Sequence, residues 1–283
     1  VVADSSNFDR QWSLPLISAP YAWTLTTGSR DVVVAVLDTG LRDDHPDIDK
    51  SAIVAGRNLV SDQSSTNYRD NISSMSHGTM VTGIIGARTN NGTGVAGLNW
   101  NVSIMPVRVL SSSGGGSVAG VGQGIRWAVD NGADVINMSL AWDANSGDPG
   151  ERFVVEQIEY AISRGVTLVA GAGNDNGRIT MPAAHPDVIA VGAVDKNKRR
   201  AWYSNYGSEL DLVAPGGSQQ SSNSGGVLST DVVSRQLSYS YQQGTSFASP
   251  HVAGVVALMY ANGITDPHTV REILLDTAED LGT

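Results

Sequence analysis

Apolar residues run almost unbroken through several short stretches of the chain, and these set its architecture. Val-Val-Val-Ala-Val-Leu at 32–37 is the clearest, and similar runs lie at 103–109, 134–139, 166–170 and 188–194. Each is too short for a typical helix and lacks the alternation of a half-exposed strand. That is the pattern of strands covered on both faces in a parallel sheet. Helical patterns at 77–87, 118–131 and 151–163 fall between them. The alternation predicts a three-layer α/β fold, a mainly parallel central sheet flanked by helices. After position 246 the residues Phe247, Ala248, Val252, Ala253, Val255, Val256, Leu258, Met259 and Tyr260 make a segment apolar on most sides, as in a buried helix. An irregular arm is expected over 4–12 and a short helix around 21–25. The Gly- and Ser-rich pieces at 111–117 and 218–226 read as surface loops. No repeat or linker divides the chain, so one domain over 1–283 is expected, with an N-terminal arm over about residues 1–18.

Composition narrows the function. The chain has 283 residues, 41% hydrophobic and 16% charged, with 32 glycines and a net charge of −10. This describes a loop-rich globular protein with a sizeable core. The acidic balance argues against nucleic acid or an anionic membrane as partner and suits divalent cations. The absence of cysteine excludes a disulfide, a thiol nucleophile and a thiolate metal site. No apolar run reaches the ~18 residues of a membrane span, and no basic-plus-apolar leader opens the chain. A cytosolic protein or a mature secreted form is expected.

In open α/β sheets, sites form beyond the carboxyl ends of the strands. Asp38 follows the first strand, Ser139 a middle one, and Asn174 the 166–170 run through Gly171-Ala172-Gly173. His77 and Ser246 each open a helix after a turn. A carboxylate, an imidazole, a hydroxyl and a carboxamide on one rim are the parts of a serine acyl-transfer site. Each also has a plainer reading. Ser246 alone suits a helix cap, and His77 is one of five histidines. Asp38-Thr39-Gly40 also resembles an aspartic-protease triplet, but no second copy is present. Gly171-Ala172-Gly173-Asn174-Asp175-Asn176-Gly177 resembles a dinucleotide loop, with Asp195 placed as a ribose ligand would be. Its spacing is one residue too long, and Pro182 and Pro186 leave no room for the phosphate-binding helix.

Together, Asp38-Thr39-Gly40, His77-Gly78-Thr79 and Gly244-Thr245-Ser246-Phe247-Ala248-Ser249-Pro250-His251 resemble the three signatures of the subtilisin-like serine proteases, in that family's order. The resemblance covers about residues 11–280 and is nearest the calcium-dependent thermitase and subtilisin branch. It implies Ser246 as nucleophile, His77 as general base and Asp38 as its orienting carboxylate. Asn174 and the N–H of Ser246 would be the oxyanion donors. A peptide would add as a strand between Ser113, Gly114, Gly115, Gly116 and Ser139, Leu140, Ala141. The primary pocket would be walled by Ser139, Leu140, Ala141, Ala170, Gly171 and Gly173, favouring a hydrophobic residue before the cut. Ala141 stands where glycine is usual and is followed by Trp142, which alters the expected pocket width. Phe247 stands where methionine is usual, so no sulfoxide can form beside the nucleophile.

The same resemblance makes the loop 88–95 a structural calcium site with Asp47, Arg88, Asn91, Thr93, Val95 and Asp4 as ligands through side chains or carbonyls. It implies a secreted monomeric endopeptidase acting on polypeptides after loss of an N-terminal propeptide. Relatives usually continue past the position of Thr283, so an unusual C-terminal edge or a longer precursor is expected. The alternatives are a catalytically silent peptide-binding domain on this fold, an esterase, or a narrow processing protease.

Overall fold

The structure, a computed structural model, describes residues 3–60, 64–70, 76–143 and 147–282. Val1, Val2 and Thr283, the ends of the chain expected as an arm and an edge, lie outside them. Seven strands form one parallel sheet: β1 (Gly28–Asp38), β2 (Arg57–Asn58), β3 (Asn101–Arg108), β4 (Val135–Met138), β5 (Thr167–Gly171), β6 (Ile189–Val194) and β7 (Leu212–Pro215), in the order β2-β3-β1-β4-β5-β6-β7. The five long apolar runs correspond to β1, β3, β4, β5 and β6. β1 lies between β3 and β4, with Asp38 level with Arg108 and Leu37 level with Met138. The polar residue ending β1 therefore sits mid-sheet, on the rim formed by the strands' carboxyl ends.

Successive side chains of a strand point to opposite faces, and this sorts the core into two layers. Val34 and Val36 meet Val81 and Ile85 of α3 (His77–Gly86) and Val252 and Val256 of α6 (Thr245–Ala261). Ala35 and Leu37 meet Val121 and Ile125 of α4 (Val118–Asp130) and Val154 and Ile158 of α5 (Gly150–Ser163). Fully burying a side chain such as Ile125 stabilises the fold by roughly 1.5–3 kcal/mol. These layers make the three-layer α/β fold expected from the sequence. No helix of the described residues is long and apolar enough to cross a membrane.

Four features differ from expectation. The helix expected around 21–25 is replaced by two short helices lying earlier, α1 (Ser13–Leu16) and α2 (Ala19–Ala22). Pro20 occupies the first turn of α2, where its missing N–H is no loss. The arm contains a 3-10 turn at Phe8–Arg10. A hairpin not anticipated, β8 (Val227–Val233) and β9 (Gln236–Gln242), packs on α3, with Ser229 Oγ donating to the Met80 carbonyl at 2.6 Å and Thr230 Oγ1 to that of Thr79 at 2.8 Å. Finally α7 (Pro267–Thr277) follows Asp266, whose carboxylate accepts from Thr269 N at 2.8 Å.

Candidate active site

The carboxyl end of β1, the start of α3 and the start of α6 converge on the rim. Close approach requires glycine at position 78, because a Cβ there would lie 2.2 Å from the Gly40 carbonyl oxygen. With that contact allowed, His77 Nδ1 sits 2.8 Å from Asp38 Oδ1 and 3.0 Å from Oδ2. Asp38 is fully buried, and its Oδ1 also accepts from Thr39 N at 2.7 Å. A carboxylate is acceptor-only, so the imidazole carries its proton on Nδ1 and leaves Nε2 with a lone pair. Burial pulls the His77 pKa down, but the charge and hydrogen bond of Asp38, with the charge of Asp70, outweigh it and leave the pKa raised above 6.5.

Two buried groups behind this pair escaped sequence reasoning. Asp70 accepts from Thr79 N at 3.1 Å and Thr79 Oγ1 at 3.0 Å. Burial, then the charge of Asp38, push its carboxyl up to about 6. Arg108 donates Nε to the Thr39 carbonyl at 2.9 Å. Neither lies in a motif; for Arg108 the sequence signal is that a charge ending an apolar strand must find a buried partner.

Ser246 is the second residue of α6, in the first turn, where backbone N–H groups lack a carbonyl one turn behind. Its Oγ donates to the Ser139 carbonyl at 3.4 Å, and among the described residues no hydrogen bond joins it to His77. Phe247, beside it, is turned into the core with Leu14, Met80 and Ile84, and its ring lies 5.5 Å from that of His77. It backs the imidazole and does not line the pocket.

Asn174 reaches the same place from the loop after β5. Gly173 takes φ +107°, and a Cβ there would lie 2.3 Å from Asn205 Nδ2, so only glycine makes this turn. Asn174 Oδ1 accepts from Thr245 N at 2.8 Å and Thr245 Oγ1 at 3.1 Å. The acceptor end is thereby fixed, leaving the two N–H donors at the other end. Asn174 and Ser246 line a cavity of about 190 Å³ together with Leu140, Ala141, Gly171, Gly173, Asp175 and Thr245. Asp175 is a carboxylate the sequence reading did not include. Ser139 instead lines a neighbouring cleft of about 540 Å³ with His77, Ser113, Gly114, Gly115, Gly116 and Trp142. Ala170 is placed differently from expectation: it is fully buried in the layer facing α4 and α5, behind the pocket wall.

The expected calcium ligands also gather. Asp47 is fully buried; its Oδ1 accepts from Asn91 Nδ2 and its Oδ2 from Val95 N, both at 2.7 Å. Arg88 N donates to the Asp47 carbonyl at 2.8 Å, and Asn91 Oδ1 accepts from Thr93 N at 3.2 Å. Asp4 joins through its carbonyl, which accepts from Gly92 N at 3.0 Å. Burial raises the Asp47 pKa, and this carboxylate makes none of the ion pairs among the described residues. No group of three or more His, Cys, Asp or Glu side chains that could hold a metal occurs among them. The implied donors are oxygens, which suit a hard cation and no softer metal, but both Asp47 oxygens here accept N–H groups, so Asn91 would have to turn its oxygen inward to join a cation.

A parallel α/β sheet carrying an Asp–His pair, a serine and an oriented carboxamide on one rim has the form of the subtilisin-type architecture. The Subtilase family matches residues 29–283, and the chain belongs to that family. It is 39% identical over 262 residues to the thermophilic serine proteinase of Bacillus sp. (strain AK1), a match covering 92% of this chain and 60% of that relative. It is 37% identical over 273 residues to thermitase of Thermoactinomyces vulgaris, covering 96% of this chain and 89% of that one. A solved protease structure from Pseudoalteromonas arctica PAMC 21717 superposes with a TM-score of 0.89 at 37% identity, covering 99% of this chain and 93% of that one. The chain spans 60% and 51% of the length of the first curated relatives it matches.

Proposed function

We propose that the protein is a serine endopeptidase that cleaves polypeptides through an acyl-enzyme on Ser246. The observation that carries this reading is the buried Asp38 carboxylate bound to His77 Nδ1, on the same rim as Ser246 and Asn174. His77 takes the Ser246 proton at Nε2 as Oγ attacks the carbonyl, and returns it to the leaving amine. Asp38 holds the tautomer and stabilises the imidazolium. Asn174 N–H and the Ser246 N–H donate to the developing oxyanion. For the attack, Oγ must leave the Ser139 carbonyl for His77; such contacts are often loose before substrate binds. That parked hydroxyl is the one feature favouring a silent peptide-binding domain. Labelling of Ser246 by a fluorophosphonate, with hydrolysis of a peptide library, decides between them: no labelling and no cleavage would sink the enzyme reading.

The smaller cavity selects the residue before the cut. Leu140 and Ala141 favour an apolar side chain, while Asp175 on the same lining adds a charge that a basic side chain can meet. The reading includes an extracellular site of action on polypeptides, following the family resemblance.

Asn174→Leu is expected to lower kcat by about 10² to 10³ with KM little changed, because its donor is used most in the transition state. The magnitude is that of the same loss in subtilisin, a relative. Steady-state kinetics on one peptide substrate check it; unchanged turnover would remove Asn174 from the mechanism.

A structural calcium ion is part of the same proposal, held by Asp47, Asn91 and the carbonyls of Arg88, Thr93, Val95 and Asp4. Its role would be to neutralise the buried Asp47 carboxylate and tie the N-terminal segment to the loop. With calcium at about a hundred times its Kd, binding contributes ~2.7 kcal/mol. Excess chelator is then expected to lower Tm by roughly 5 °C. A melting curve indifferent to chelator would count against the ion.

A further inference from the structure

In an α-helix the carbonyl of one residue accepts from the N–H four residues on. For Ser246 that donor falls on Pro250, which has no N–H. The carbonyl of the proposed nucleophile has therefore lost its helical partner. The sheet supplies another: Ser139, the residue after β4, donates Oγ to the Ser246 carbonyl at 2.8 Å. Behind it, Asn137 Nδ2 donates to Ser139 Oγ at 3.0 Å, and Ser249 Oγ donates to Asn137 Oδ1 at 2.7 Å. All three side chains are buried.

The chain has a direction. A hydroxyl has a single proton and two acceptor lone pairs. Because Asn137 donates into Ser139 Oγ, the Ser139 proton turns to the Ser246 carbonyl. Ser249, donating to the amide oxygen, keeps Asn137 from turning round. Ser139 also accepts the Ser246 hydroxyl at its own carbonyl, so the two serines are clasped in both directions.

We propose that Asn137 is a positioning residue for the nucleophile: by setting the direction of the Ser249–Asn137–Ser139 chain it gives the Ser246 carbonyl the donor that Pro250 cannot, and fixes the first turn of α6 against β4. This rests on the reading of Ser246 as nucleophile. Alignment of the reacting groups is what such a clamp controls, and small misplacements are costly there.

Asn137→Asp tests it. The replacement has the same shape, and assayed at alkaline pH, above the range to which burial lifts a carboxyl, its ionised carboxylate only accepts. It draws the Ser139 proton to itself and leaves the Ser246 carbonyl bare. The rate of fluorophosphonate labelling at Ser246 and kcat on a peptide substrate are expected to fall about tenfold, equivalent to ~1.4 kcal/mol in the barrier, with KM almost unchanged. Pro250→Ala restores an N–H four residues after Ser246. The combined Asn137→Asp, Pro250→Ala protein is therefore expected to recover most of the loss. Because removing an interior proline also stabilises a helix in general, the rates are measured well below the Tm of every variant, where a general gain in stability leaves the rate of the folded protein unchanged.

Labelling and kcat that stay near those of the parent protein in Asn137→Asp would overturn the proposal, as would a loss that Pro250→Ala leaves in place. Should Asn137→Asp not fold, Ser139→Ala is compared with Ser139→Ala, Pro250→Ala, with the same recovery expected and its absence equally damaging. If the parent protein is neither labelled nor active, the peptidase reading fails and this inference with it. A labelled parent with indifferent variants sinks this inference alone.

Discussion

Ser246→Ala is expected to lower kcat by about 10⁶, the size of the corresponding loss in subtilisin, a relative of this chain. The argument is one of chemistry more than packing. The Ser246 hydroxyl makes one weak hydrogen bond, 3.4 Å to the Ser139 carbonyl, and its removal leaves the Ser139–Ser246 backbone contact intact. Fold and KM should therefore be nearly unchanged. What disappears is the covalent route, since among the described residues no other hydroxyl lines the small cavity at a helix start except Thr245, whose Oγ1 is committed to Asn174. Some acceleration over water should survive from the oxyanion donors and binding alone, about 10³ to 10⁴. For the same reason Ser246→Ala combined with His77→Ala should be hardly worse than Ser246→Ala. Active-site titration and sensitive peptide kinetics on purified protein check both points. Turnover within an order of magnitude of the parent would remove Ser246 from the mechanism.

The catalytic candidates were legible because each sits where an element begins or ends. Asp38 closes an apolar strand, His77 and Ser246 open helices, and Asn174 follows a glycine turn after β5. Such junctions are local in sequence and lie on one rim of the sheet by topology. Residues acting through tertiary contacts were not legible in the same way. Asn137 is a carboxamide inside the apolar strand β4, a signal only to someone asking where a buried amide finds its partners. Its partners Ser139 and Ser249 are 2 and 112 positions away, on different elements. Asp70 stands in a loop of ordinary polarity, and only the folded chain places it beside Thr79 and Asp38. The β8–β9 hairpin went unread because its turn uses Ser234 and Arg235, with φ of 50° and 66°, where Asn-Gly would be the usual sign. By contrast α7 carried a readable start in Asp266-Pro267, a cap followed by proline at the first turn. Phe247 shows the limit of reasoning by neighbourhood: adjacent to Ser246 in sequence, it points to the opposite side, against His77 and the core.

Asp38→Asn is expected to lower kcat by about 10⁴, the loss seen when the equivalent carboxylate is replaced in a serine protease of a different fold. The local geometry says why it should transfer. Thr39 N donates at 2.7 Å to one oxygen, so an amide at this position must keep its carbonyl there. Its NH₂ then takes the place of Oδ2, 3.0 Å from His77 Nδ1. An Nδ1–H could still reach the retained carbonyl at 2.8 Å, but only with the new NH₂ pressed against it; the tautomer protonated on Nε2, whose Nδ1 accepts from that NH₂, removes the clash and can no longer accept a proton from Ser246. The side chain is fully buried, and no water can relieve the conflict. A pH signature separates this from simple loss of structure. In the parent protein burial lowers the His77 pKa, but the Asp38 charge and hydrogen bond and the Asp70 charge raise it further, so the base becomes neutral only above the ordinary histidine value of 6.5. The Asp70 carboxyl, bonded to Thr79, and Arg42 beside it stay in place in the variant, with Asp70 raised less once the Asp38 charge is gone. Removing the Asp38 charge leaves burial as the leading influence, and the acid limb of kcat/KM should move to lower pH while the plateau falls. Normal turnover, or a reduced plateau with an unmoved acid limb, would show that Asp38 does not set the state of His77.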